Sequence, residues 1–144
     1  MIKDVKITTK SKQDHVMSVD TYSRWLCLME ALEFINLKAE YLKRRDTLVS
    51  RLNAIPGVYC PNPGGAFYAM AKLPIDDSDK FCQWLLESFS YNDQTVMLAP
   101  ATGFYGTPGL GKNEVRFAYV LNVDAINAAM DCLERALEVY PGKC

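Results

Sequence analysis

The sequence has a single histidine, His15, and no C-x-x-C pair. Both absences remove chemistry. With one histidine in the polar run "SKQDHVM", there is no Ser-His-Asp or Cys-His machine, and His15 reads as a solvated loop residue. The five cysteines (27, 60, 82, 132 and 144) are scattered and odd in number, so they read as reduced thiols, mostly small core residues, rather than a zinc cluster or a disulfide scaffold. Charge bias is absent too. The formal net charge is −1, which offers no electrostatic footprint for nucleic acid or an anionic membrane. No apolar run is long enough to span a bilayer, and the start "MIKDVKITTK" lacks the apolar core of a signal peptide, so a cytoplasmic location is expected. There is no internal repeat and no low-complexity tract.

What is present is an ordinary globular composition: 144 residues, 49% hydrophobic and 23% charged, enough for one domain with a real core. Residues 1–17 hold four lysines and little periodicity, and read as a polar N-terminal arm before a domain over residues 18–144. From about Tyr22 to Ile55 the pattern is helical, with a break expected near Phe34–Leu37. "IPGV" ends it, Pro56 blocking continuation and Gly57 free to turn left-handed. Strands are expected at "VYC", "GAFYAMAKL", "QTVMLAP" and "NEVRFAYVLN". A helix capped within Asp76–Ser78 carries Phe81, Trp84, Leu85 and Phe89 on one stripe. A last helix, capped by Asn122 or Asp124, carries Ile126, Met130, Leu133, Leu137 and Tyr140. The expected fold is an α/β (α+β) two-layer sandwich, a small mixed sheet covered by helices.

Two motifs ask for chemistry. "GTPGLGKN", Gly106 to Asn113, nearly spells a phosphate-binding P-loop, but Asn113 stands where a magnesium-binding Ser or Thr belongs. The loop also feeds a strand, whereas phosphate binding needs a helix N-terminus after it, so a plain glycine-rich connection is the better reading. In "NEVRFAYVLN" a permanent positive charge, Arg116, sits on a strand of small and branched apolar residues. A guanidinium needs a partner anion, either an internal Asp or Glu or the carboxylate of a ligand.

Four segments together, "YLKRRDTLVSRLNAIPGV", "PNPGGAFYAMAKLP", "TVMLAPATGFYG" and "NEVRFAYVLNVDAINAAMDCLERAL", resemble the C-terminal small domain of class I/II, fold-type I pyridoxal-phosphate aminotransferases of the aspartate aminotransferase kind. The resemblance runs over residues 37–141. It implies that Arg116 grips the α-carboxylate of an amino-acid or 2-oxo-acid substrate. It also implies that the strand with Phe67 and Tyr68 lies near the substrate entrance, and that the loop of Pro100 and Phe104 borders the substrate. Taken singly, Phe67 and Tyr68 read as core residues, one of the two facing inward, and Gly64 and Gly65 as a tight turn allowing close approach. Transamination also requires a lysine for the cofactor, a phosphate cup and an acidic partner for the pyridinium nitrogen. In such enzymes these lie in a large domain. The upstream pair Ser11–Lys12 lacks the family's flanking motif. The chain thus reads as a small domain that is inactive alone, binding no cofactor and no metal by itself and joining a missing large domain and other subunits. Cut off from that domain it is expected to expose an apolar patch, with "RWLCLMEAL" as the candidate and an ordinary buried helix face as the other reading. A catalytically dead interaction or dimerisation module is the alternative function. The preferred amino acid, and the choice between transaminase and a sister lyase, lie beyond the sequence.

Overall fold

The computed structural model describes residues 4–8 and 14–144, with side chains described at residue 21 and from residue 23 onward. Ser11 and Lys12 lie outside the described residues, as does the side chain of His15. The chain divides into two compact units, residues 1–40 and 41–144, with the boundary inside a long helix.

In the first unit, β1 (Asp4–Thr8) and β2 (Asp14–Ser18) pair antiparallel, with Lys6 opposite Val16. An arm without elements was expected here. The alternation of Val5 and Ile7 with the polar Asp4, Lys6 and Thr8 is too short to be read as a strand from sequence. The helix α1 (Val19–Ala54) then runs for 36 residues without the break expected near Phe34–Leu37. Nothing in the segment breaks a helix: neither Pro nor Gly occurs in α1. In "RWLCLMEAL", Trp25, Leu26, Leu28, Met29 and Leu32 are all substantially exposed, and Phe34, Ile35 and Leu37 continue the row.

The second unit holds the core. The end of α1 contributes Leu48, Leu52 and Ile55 before Gly57 turns at φ 82°. β3 (Tyr68–Lys72), α2 (Ser78–Glu87), β4 (Ala99–Pro100), β5 (Glu114–Ala118) and α3 (Val123–Val139) follow. The sheet order is β3-β5-β4 and both pairings are antiparallel, so the small sheet is not mixed among the described residues. The "VYC" segment supplies only a bridge, Tyr59 to Lys72, and "QTVMLAP" only the two residues of β4. Each has β-branched or aromatic residues, yet pairing needs a neighbouring edge, which sequence does not reveal.

The helix starts are chemically explicit. The Asp77 carboxylate accepts from the backbone N–H of Asp79 and Lys80, and Asn122 accepts from Ala125 N–H at 2.8 Å. Ile126, Met130, Leu133 and Leu137 then form one buried stripe of α3. They meet the sheet face made by Ala69, Ala71, Val115 and Phe117, giving helices on one side of a small sheet. Three of the thiols, Cys60, Cys82 and Cys132, sit in that core, and burial pushes Cys82 up to about 11. No described helix is long and apolar enough to cross a membrane.

Candidate functional site

Strand alternation places Arg116 on the face opposite the core, because its neighbours Val115 and Phe117 are buried. Across the ladder it pairs with Met70, and Tyr68, two residues before Met70, shares that face. The chain then brings Phe104 over from the short 3-10 turn Thr102–Phe104. The guanidinium carbon lies 4.8 Å from the Phe104 ring centre and 5.4 Å from that of Tyr68. These are cation–π contacts, which hold the charge without neutralising it. Arg116, Tyr68, Met70, Phe104 and Tyr105 line a cleft of about 260 Å³.

Arg116 takes part in no hydrogen bond or ion pair among the described residues, although it is partly buried. Other arginines differ. Arg45 meets Asp46 at 2.7 Å, Arg51 meets Asp131 at 2.5 Å and Arg135 meets Glu138 at 2.6 Å. Of the two alternatives open at the sequence level, no carboxylate partner is found among the described residues, and the guanidinium lines a cleft. A larger cavity of about 370 Å³ lies beside Leu48, Phe117 and Met130, but it is lined almost wholly by apolar groups and offers nothing to recognise a charged ligand.

The other expected residues fall out unevenly. Tyr68 and Phe104 reach Arg116. Phe67 does not line the cleft; its ring meets Tyr68 edge-on at 5.8 Å and is 56% exposed. Neither Phe67 nor Tyr68 enters the core, contrary to the reading of one as a core residue, because the buried face of β3 is taken by Ala69 and Ala71. Gly64 and Gly65 have open space around them and neither adopts a positive φ; it is Ala66, at φ 64°, that makes the left-handed turn into Phe67. Its carbonyl accepts from the buried Tyr119 hydroxyl at 2.8 Å. Two cleft residues were missed. Met70 was findable by counting two from Tyr68 along β3. Tyr105 was not, since its hydroxyl donates to Glu114, whose nearness depends on how the intervening loop closes. That bond pushes the Tyr105 phenol above its ordinary range.

No family model matches this chain. Individual proteins do. It is 35% identical over 104 residues to an aspartate aminotransferase of Pyrococcus horikoshii, covering 71% of this chain and 25% of that protein. It is also 35% identical over 106 residues to an aspartate aminotransferase of Musicola paradisiaca, covering 69% of this chain and 24% of that protein. Among solved structures, an aromatic aminotransferase from Pyrococcus horikoshii matches with a TM-score of 0.61 at 28% identity, over 76% of this chain and 27% of that one. The chain belongs to the aminotransferase family. It spans about a quarter of the length of the curated relatives it matches, as one small domain of a fold-type I aminotransferase would.

Proposed function

We propose that this chain supplies the carboxylate-gripping wall of an amino-acid or 2-oxo-acid site in an aminotransferase, with Arg116 as the group that holds the substrate's α-carboxylate. The observation that carries the reading is the guanidinium of Arg116, held by two rings beside a cleft and meeting no anion among the described residues. Two parallel N–H donors match a carboxylate, and the aromatic walls lower the local polarity so that the charge-assisted bonds count for more.

Aminotransferases use pyridoxal phosphate, which supplies an electron sink for amino-group transfer. The residues lining this cleft do not fit that cofactor. Tyr68, Met70, Phe104, Tyr105 and Arg116 include no lysine to bond it and no carboxylate for its ring nitrogen. The cofactor is therefore assigned to a larger partner domain, and this chain is expected to show no saturable visible absorbance change with pyridoxal phosphate.

The test is a titration of the 144-residue chain with pyruvate and with 2-oxoglutarate, followed by the backbone amide NMR signals of the cleft residues Met70, Phe104 and Tyr105, which persist when Arg116 is replaced. Both acids should shift them, and Arg116→Lys should weaken both by about tenfold, as expected for losing one charge-assisted bond of the fork. A response to 2-oxoglutarate alone would place Arg116 at the side-chain end of the substrate instead.

A second reading is favoured by the exposed apolar row of α1. Trp25, Leu26, Leu28 and Met29 remain 37–58% exposed, more contiguous apolar surface than single scattered residues explain. On this reading the chain is a homo-oligomer through that helix. Sedimentation of the chain against Leu28→Glu decides it, since one sedimenting species of monomer mass for both rejects self-association.

A further inference from the structure

The glycine-rich run rejected as a phosphate loop has a place at the Arg116 cleft. Between Ala101 and Glu114 the chain leaves β4, makes the 3-10 turn, and returns to β5. Both ends are tied: Ala101 N–H donates to the Glu114 carbonyl at 3.0 Å, and Glu114 N–H to the Gly111 carbonyl at 3.0 Å. Wholly buried Ser78 adds two more ties, its N–H to the Lys112 carbonyl at 2.6 Å and its hydroxyl to the Gly111 carbonyl at 3.2 Å. Thr102 anchors the turn to Asp79 at 2.6 Å.

Inside this closed loop the Tyr105 ring lies on Gly111. A Cβ at Gly111 would stand 2.7 Å from two carbons of that ring and 3.0 Å from the Ala101 carbonyl carbon. Gly111 also has φ +73°, so both space and backbone require glycine there. At the ring's other end, the hydroxyl is latched to Glu114. Phe104 is the immediate neighbour of Tyr105, and both rings line the cleft, Phe104 in direct contact with the guanidinium.

We propose that Gly111 and Tyr105 are positioning residues: the glycine seat and the Tyr105–Glu114 latch hold the Phe104–Tyr105 wall in place, and that wall keeps Arg116 in the orientation that meets a carboxylate. A long side chain gives up rotamer freedom when it grips a ligand, and rings that hold it beforehand reduce that loss. The inference rests on Arg116 being the carboxylate site, but its first readout needs no ligand.

The experiment uses the full 144-residue chain with labelled arginine. The Arg116 Cδ methylene signal, assigned by its disappearance in Arg116→Lys, should be displaced upfield by the Phe104 and Tyr68 rings, which lie 4.8 and 5.4 Å from the guanidinium carbon. In Tyr105→Phe, which keeps the ring and removes the latch, and in Gly111→Ala, which drives the ring off its seat, the part of that displacement due to Phe104 should be lost while the part due to Tyr68 on β3 stays. Pyruvate affinity should fall about three- to fivefold, the scale of one exposed cation–π contact. Gly106→Ala, in open space on the same loop, should leave signal and affinity unchanged. Should Gly111→Ala fail to fold, Tyr105→Phe decides alone. An unmoved Arg116 signal in folded Tyr105→Phe overturns the proposal. A signal that moves in a chain whose native form ignores pyruvate supports the positioning role and removes the carboxylate reading instead.

Discussion

The two faces of β5 lie within one strand and ask for opposite surroundings. On one, Val115 and Phe117 are 0% and 2% exposed and meet the helix stripe of Ile126, Met130 and Leu133. On the other, Arg116 lies between the Tyr68 and Phe104 rings with its donors unsatisfied by any described residue. The first face finds its complement inside the chain, and the second finds none among the described residues. Residues whose needs are met internally hold the fold together. A partly buried cation without an anion is instead a cost that a binding partner can relieve.

This contrast can be broken or sharpened by substitution. The largest effect belongs to Phe117→Ala, which leaves a cavity between sheet and helices and should cost about 3–5 kcal/mol, read by denaturant unfolding. A loss under about 1 kcal/mol would mean the buried face is not tightly packed. Val115→Thr nearly preserves shape but buries a hydroxyl among apolar groups. It should cost about 1–3 kcal/mol, measured the same way.

Tyr140 marks the rim of the dry layer, packed against Phe81 at 4.9 Å with its hydroxyl donating to Asp76 at 2.9 Å. Burial and that carboxylate push its phenol up to about 12. Because the folded value exceeds the ordinary tyrosine value of about 10, the associated stability is whole below that pH and drains away as pH rises toward 12. Melting temperature should therefore fall more steeply over this window in the native chain than in Tyr140→Phe; parallel curves would contradict it. The smallest effect is Arg116→Met. With no ion pair to break among the described residues, stability should change by no more than about 0.5 kcal/mol while pyruvate ceases to shift the amide signals of Met70, Phe104 and Tyr105. Marked destabilisation would show that the charge supports the fold after all.

Much of the buried half was legible in the residues. The helical spacing of Ile126, Met130, Leu133 and Leu137, the caps at Asp77 and Asn122, and the Gly57 stop rest on local rules that hold wherever the segment lies. The site was legible only in its charge. Arg116 stood out because a guanidinium on an apolar strand demands an explanation, and Phe104 and Tyr68 followed from the family resemblance. Met70 and Tyr105 did not emerge, nor did the exposure of Phe67, and the β4 strand proved far shorter than its composition suggested. Each of these depends on which neighbours a strand or loop acquires.

Periodicity, caps and glycine turns are properties of consecutive residues, so the sequence by itself determined the helices, the alternation of β5 and the presence of a lone cation on one of its faces. Whether that cation would be met by an internal carboxylate was a question about residues far apart in the chain. Only tertiary structure could decide it, by laying Tyr68 and Phe104 on either side of Arg116 and closing the glycine loop so that Tyr105 took Glu114 for itself.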